Sequence, residues 1–474
     1  MARSGTIDNS QIWHDNDGNA IHAHGGGFLQ EGDYYYWFGE SRQGSKKVAC
    51  YRSTDMEHWE FRNHVLSVDS AFQSVYYRTF SEMDPYGTID KGYGSGSVIE
   101  RPKVLHNAFT GKYVMWMHWE NGRDYLDARC AVATCDTIDG DYDYHGSYNP
   151  IGQMSRDCTL FRDDDGTGYF ISAARDNADL MIYRLSDDYL SIDEHVKTLW
   201  PGQYREAPAL FKRGELYFLV TSACTGWYPN QGAYAYASSL TGKWSQLYDL
   251  GGPTTYDSQP AFVLTVQGIE HTTYLYVGDR WDPSNYSQSS YVFLPLEFSE
   301  DHIMSMDWQD IVTIDTDTGA VGGEYVDSGL YRIYCNGPDQ YLAPDARHIA
   351  EVEGAVGATK LAYASEDLKW MLVDVGAGKV LIQHAESEGY LQPLGQSDSE
   401  GAAIVLAERV GHPSEEWECV TLDQCWCRFL NRHSGLALTI SGEKGGKLVQ
   451  SDRRSTYDTR RGFDSQLFLP AKVY

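Results

Sequence analysis

Arg205-Glu-Ala-Pro-Ala-Leu-Phe211, followed after a short turn by Leu216-Tyr-Phe-Leu219, is the stretch on which the fold reading turns, because its layout occurs five times. A polar residue opens an apolar strand, a turn containing Gly or Asp follows, and an aromatic strand answers. The other openings are His24-Gly-Gly-Gly-Phe-Leu29, Glu100-Arg-Pro-Lys-Val-Leu105, Asp157-Cys-Thr-Leu-Phe161 and Gln259-Pro-Ala-Phe-Val-Leu264. Their answering strands are Tyr34-Tyr-Tyr-Trp37, Tyr113-Val-Met-Trp116, Tyr169-Phe-Ile171 and Tyr274-Leu-Tyr-Val277. Copies begin roughly 50 to 75 residues apart, the range of a propeller blade or another stacked unit. Outer strands echo as well: Tyr51-Arg-Ser-Thr-Asp55 leads to Trp59, and Ala233-Tyr-Ala-Tyr-Ala-Ser238 leads to Trp244. Four strands in each of five copies predict a five-bladed β-propeller of about 300 residues. Equivalent positions in a closed ring converge on one axis, so the five polar heads are expected to face a common site.

Bulk properties agree with an all-β chain. The 474 residues exceed one ordinary core, which predicts two domains. The 35 Tyr and 13 Trp favour strands, and no long segment keeps a helical period. A net charge of −29 makes nucleic acid and anionic membranes poor partners, while a neutral polysaccharide is compatible with it. Nine cysteines, an odd number, argue against a complete disulfide framework, and the alternating pair Cys425 and Cys427 reads as structural thiols. Met1-Ala-Arg-Ser-Gly-Thr-Ile-Asp8 has no apolar secretion segment, so the expected address is cytoplasmic, or extracellular with a signal removed.

After Trp308 the texture changes. Asp315-Thr-Asp-Thr-Gly-Ala-Val-Gly-Gly323 reads as a closing loop or linker, which places a propeller domain at 1–320 and a second domain at 328–474. In the second, Leu342, Leu391 and Leu438 recur every 47 to 49 or so residues, as do Trp370, Trp417 and Phe468 at about 50. Three such repeats predict a β-trefoil.

Three of the five blade-opening heads, Glu100, Asp157 and Glu206, are carboxylic acids. Splitting an acetal needs a proton donor for the departing oxygen and electron density at the anomeric carbon, which carboxyls of unequal pKa supply. A neighbouring ionised Asp would raise the pKa of Glu206 and keep it able to donate. The other two heads, His24 and Gln259, are not carboxylates. Asp163-Asp-Asp-Gly166 lacks the spacing of a calcium loop and reads as a hairpin turn. His22 and His24 share a strand face but have no third ligand nearby in sequence, so packing or substrate contact is expected of them and no metal or cofactor.

With these residues in view the chain resembles glycoside hydrolase family 43, and within it the exo-β-1,3-galactanase subgroup. The matching strings are Ile21-His-Ala-His-Gly-Gly-Gly27, Trp37-Phe-Gly-Glu40, Glu100-Arg-Pro-Lys103, Ser155-Arg-Asp-Cys-Thr-Leu-Phe161, Ser172-Ala-Ala-Arg175, Arg205-Glu-Ala-Pro-Ala-Leu-Phe211, Thr225-Gly-Trp227 and Gly278-Asp-Arg-Trp-Asp-Pro283. The resemblance implies an inverting exo-acting hydrolase of arabinogalactan β-1,3-galactan, with Glu206 as general acid. Most of the family takes its base from a first-blade Asp, where this chain has His22-Ala-His24. Water is therefore expected to be positioned by Gln259 and Glu100, with Glu100 as proton acceptor. Glu40, Tyr125, Asn177 and Thr225 are expected to bind sugar hydroxyls, with His24 and Asp279 beside them and Trp227 and Trp281 as platforms. The second domain resembles ricin-type carbohydrate-binding modules, although Ala343, Gln392 and Thr439 stand where sugar-gripping Asp residues belong. An α-L-arabinofuranosidase, a β-xylosidase and a non-catalytic sugar-binding propeller are the alternatives.

Overall fold

The computed structural model describes residues 3–74, 83–84, 96–336, 341–345, 352–362, 365–423, 426–441, 446–453 and 464–474. It is an all-β chain forming two compact units, one of 1–281 with 289–325 and the other of 326–474 with 282–288. The division at 325/326 lies just beyond Asp315–Gly323. The grouping of Asp282–Gln288 with the second unit carries no sequence signal.

Each of the first four copies of the repeat folds as an antiparallel four-stranded meander, beginning with His24–Glu31, Val98–Asn107, Cys158–Arg162 and Arg205–Arg213. The fifth forms three strands, Gln259–Gln267, Thr272–Arg280 and Ser290–Pro295. Opening strands lie side by side in chain order, and Gln259–Gln267 returns to lie beside His24–Glu31. Such repeated four-stranded sheets are consistent with a propeller. The aromatic second strands explain the packing, since their large side chains fill the space between successive sheets. Phe38, Met115 and Trp119 lie between the first and second sheets, Trp116 and Phe170 between the second and third, and Leu219 and Ile171 between the third and fourth.

Ser4–Asp8 pairs with Ile311–Asp315, joining the two ends of the first unit. Their Ile7, Val312 and Ile314 enter one core with Phe28 and Trp37 of the first copy and Val266 and Phe293 of the fifth. Asn9, fully buried, clamps the same junction. Its amide donates to the carbonyls of Phe293 and Gln309, both at 2.9 Å, and accepts from the Phe293 N–H at 2.9 Å.

In the second unit, strands pair in a cycle: Leu330–Cys335 with Trp370–Gly376, then Lys379–His384, Glu416–Asp423, Trp426–Asn431 and Phe468–Lys472, which returns to Leu330–Cys335. The sheet is thus a closed barrel. The repeating anchors Leu342, Leu391, Leu438, Trp370, Trp417 and Phe468 are all completely buried in its core. Trp370 donates its indole N–H to the Leu342 carbonyl at 3.0 Å, and Trp417 repeats the contact with Leu391 at 2.8 Å. The eight described cysteines are free thiols; Cys425 lies outside the described residues. Among the described residues no helix is long and apolar enough to cross a membrane.

Candidate active site

Strict strand alternation would send neighbouring side chains to opposite faces, but the opening strands break it just past their polar heads. Register shifts fall between His24 and Gly27, Glu100 and Lys103, Glu206 and Ala209, and Pro260 and Phe262. Three of these bulges hold a residue with positive φ: Gly25 at 58°, Arg101 at 56° and Ala207 at 51°. A bulge re-aims side chains and ends local pairing, so both Glu100 and Arg101 reach the site. Gly25 also permits close approach, because a Cβ there would sit 3.3 Å from a Glu40 carboxylate oxygen and 3.2 Å from Arg101 Cδ.

The heads meet at a cavity of about 210 Å3, lined by Glu40, Arg42, Glu100, Arg101, His118, Tyr125, Arg156, Asp157, Asn177, Glu206, Gly226, Trp227, Gln259 and Trp281. It is smaller than a typical drug-sized pocket of about 300–1,000 Å3 and suits a single small ring. Four acids face three arginines and one histidine, so the wall offers hydrogen bonds of both senses without a dominant charge. Trp227 and Trp281 stack at 5.5 Å with their planes 12° apart, and the Arg42 guanidinium lies 5.3 Å from the Trp227 ring centre. An aromatic wall beside paired donors and acceptors is suited to a neutral polyhydroxylated ligand.

Glu206 is buried, and its two carboxyl oxygens accept from the amides of Gln259 and Asn177, each at 3.0 Å. Burial and the charge of Asp157 push its pKa up to about 8. Asn177 arrives there because Arg175, Asp176 and Asn177 adopt three consecutive left-handed conformations, which coil the turn toward Glu206. The Gln259 amide is oriented by two obligate donors: its oxygen accepts from Arg101 at 2.6 Å and from the Trp281 indole at 2.9 Å. Arg101 also pairs with Asp157 at 2.9 Å and donates to the Pro260 carbonyl at 2.8 Å.

Glu100 is surrounded by donors. Arg42 and the Tyr125 hydroxyl each reach one oxygen at 2.6 Å, and His118 reaches the other at 3.0 Å. Burial alone would raise its pKa, but the His118 hydrogen bond, Arg42 and Tyr125 hold it well below the usual carboxylate range. A carboxylate so stabilised is a weak base, which counts against the expectation that Glu100 takes the water's proton. Glu40, bonded to Arg42 at 3.0 Å, is pushed up to about 7 by burial.

Three of the expected ligand residues are not among those that line the cavity. Thr225 does not line the cavity; its hydroxyl donates to the Tyr228 carbonyl at 2.5 Å and accepts from Asn230 at 2.6 Å, shaping the turn that carries Trp227. His24 and Asp279 lie behind the wall, 0% and 1% exposed and bonded to each other at 3.2 Å. Asp279 also accepts from the Gly25 N–H at 2.9 Å, so the pair supports the first bulge. Arg42, Arg101, His118 and Arg156 line the cavity without having been singled out as ligands from sequence. The Glu-Arg-Pro string held the only hint for Arg101, since proline following it disrupts pairing. Glu100, His118 and Asp157 lie close enough to suggest a metal cluster. Both His118 ring nitrogens are already bonded to carboxylates, however, which leaves no lone pair for an ion.

A family model for glycosyl hydrolases family 43 matches residues 104–279. An exo-β-1,3-galactanase from Clostridium thermocellum is 38% identical, with alignment over 99% of this chain and 100% of that one and a TM-score of 0.62. The chain belongs to glycosyl hydrolase family 43. It is a glycoside hydrolase. A further family 43 member, a β-1,3-galactosidase solved with galactodeoxynojirimycin, is 33% identical over 64% of this chain and 99% of that one, with a TM-score of 0.56. An exo-β-1,3-galactanase from Phanerochaete chrysosporium, solved with galactose, is 26% identical over 99% and 93%, with a TM-score of 0.61. Curated protein sequences give no match.

The charge of Asp157 on Glu206 yields a prediction for this hydrolase. Asp157→Asn removes that repulsion, so the pH above which activity falls should move down from about 8, toward the ordinary carboxylate range. A pH–rate profile checks it; an unmoved alkaline limb would remove Asp157 from the acid's environment.

Proposed function

We propose that this family 43 hydrolase is an inverting exo-β-1,3-galactanase. It removes galactose, bare or β-1,6-substituted, from the non-reducing end of arabinogalactan β-1,3-galactan. The catalytic domain (1–320) is read as a five-bladed propeller and the second (328–474) as a ricin-type β-trefoil. Ala343, Gln392 and Thr439 are buried in that second domain and offer no carboxylate to a sugar, so any polysaccharide contact there uses other side chains.

The reading rests on one observation: Glu206, with its raised pKa, shares a one-ring cavity with Glu100, Asp157, Gln259 and the Trp227–Trp281 stack. Full-length likeness to exo-β-1,3-galactanases supports the substrate. Glu206 gives its proton to the glycosidic oxygen as the bond from that oxygen to the anomeric carbon breaks. A water held by Gln259 and Glu100 forms the new bond from the opposite face, and its surplus proton restores Glu206 over the full cycle. Glu100 acts through charge and orientation, Asp157 keeps Glu206 protonated, and Glu40, Tyr125 and Asn177 bind hydroxyls.

Sugar release should be measured on β-1,3-galactobiose, on debranched and intact arabinogalactan, and on nitrophenyl pentosides, with proton NMR of the first anomer formed. Galactose appearing first as the α-anomer is expected from inversion. Release of pentose alone would replace the reading with an arabinofuranosidase or xylosidase. No release of any sugar would leave a binding propeller.

A further inference from the structure

The mechanism above uses Glu100 but not the group behind it. His118, on strand Lys112–Glu120, is 1% exposed. Its Nδ1 lies 3.0 Å from one Glu100 oxygen and its Nε2 lies 3.0 Å from a Glu120 oxygen. The second Glu120 oxygen accepts the Ala128 N–H at 3.0 Å. Ala128 ends the turn 121–128 with φ of 42°, and that turn carries Tyr125, whose hydroxyl donates to Glu100. Glu100, His118, Glu120 and the Ala128 N–H thus form a closed circuit with Tyr125.

Ionised carboxylates only accept hydrogen bonds, so a ring bonded to two of them through both nitrogens carries two N–H groups and a positive charge. The neighbouring groups are of both signs. Arg42 faces Glu100, Tyr125 lies with its ring centre 6.0 Å from that of His118, and an Asp157 oxygen lies within 4.8 Å of the cluster. Although burial lowers the His118 pKa, the bonds to Glu100 and Glu120 push it up to about 9.

We propose that His118 is a positioning residue: as a cation shared by Glu100 and Glu120, it fixes the Glu100 carboxylate and locks the Tyr125 turn against the bound terminal sugar. The proposal rests on the galactanase reading for its kinetic consequence, though not for the protonation of the ring. Asn at 118 can still donate to Glu100 but carries no charge. Glu100 and Glu120 then lose their common cation, so the Glu100 carboxylate binds a proton more readily than in wild type. Glu120→Gln in the same chain relieves that repulsion.

The experiment has two arms on the full chain. In the first, pH profiles of kcat/KM on β-1,3-galactobiose are compared for wild type, His118→Asn and His118→Asn/Glu120→Gln. The acidic limb is expected to move up by about one pH unit or more in His118→Asn and to return in the double variant. The loss at neutral pH should fall on KM more than on kcat. A folded His118→Asn whose acidic limb matches wild type overturns the proposal, as does a double variant worse than the single one. In the second arm, the ring nitrogens of wild-type His118 are followed by 15N NMR. Both should stay protonated at pH 7, and a neutral ring there overturns the proposal even if the variants fail to fold. Wild type that releases no galactose would instead sink the substrate reading, leaving the NMR arm to decide the His118 pairing.

Discussion

Replacing Glu206 by Gln should lower turnover of β-1,3-galactobiose by about 10²–10⁴-fold, the usual worth of a positioned general acid. Gln keeps the shape and can still accept from Asn177, so KM should change little. An aryl β-galactoside with a strongly acidic leaving group needs less proton donation and should lose much less. Near-wild-type turnover on galactobiose would remove the acid role. Stability should respond in the opposite sense. The folded Glu206 pKa is raised to about 8 from its ordinary 4.5. Between those values the folded chain binds more protons than the unfolded chain, so stability from this group is complete below 4.5 and lost as pH rises through 8. Glu206→Gln removes that dependence. Thermal unfolding should find the variant matched to wild type near pH 4 and more stable near pH 9. A variant less stable at pH 9 would contradict this.

Arg101→Met should destabilise the chain by about 3–5 kcal/mol, the typical cost of removing one partner from a buried ion pair. The guanidinium is 5% exposed and serves Asp157, the Gln259 oxygen and the Pro260 carbonyl together. Asp279 also lies within 4.0 Å of it. Removing it leaves acidic and carbonyl oxygens without their shared donor. Arg101→Lys should rescue little, because an ammonium cannot span three acceptors with a planar fork. Denaturant unfolding checks both variants. A midpoint for Arg101→Met equal to that of wild type would show that the arginine is not the tie described here.

Much of the site could be read from the chain because a repeated unit puts equivalent positions together. Once Glu100, Asp157, Glu206 and Gln259 were seen as strand openings, their convergence needed no knowledge of loops. The barrel anchors were legible for the same reason: Trp370 and Trp417 repeat both their spacing and their indole bonds. What could not be read came from departures from regular geometry. Arg101 reaches the cavity only because its bulge breaks two-residue alternation, and Asn177 only because three residues turn left-handed. Thr225 sits beside Trp227 in sequence, yet its hydroxyl is consumed by its own turn. His118 lies in the second strand of its sheet, outside the positions that the repeat singled out. Its importance depends on partners at Glu100 and Glu120 on two strands, a relation with no signature along the chain.

The pairing of Ser4–Asp8 with Ile311–Asp315 has a bearing on biogenesis. During synthesis Ser4–Asp8 must wait for more than 300 later residues before its partner leaves the ribosome. Until then the first meander exposes an apolar edge that nothing yet covers, a window in which wrong associations compete. Because that latch joins residues so far apart, its formation carries a large entropic cost and should rank among the slow steps of maturation.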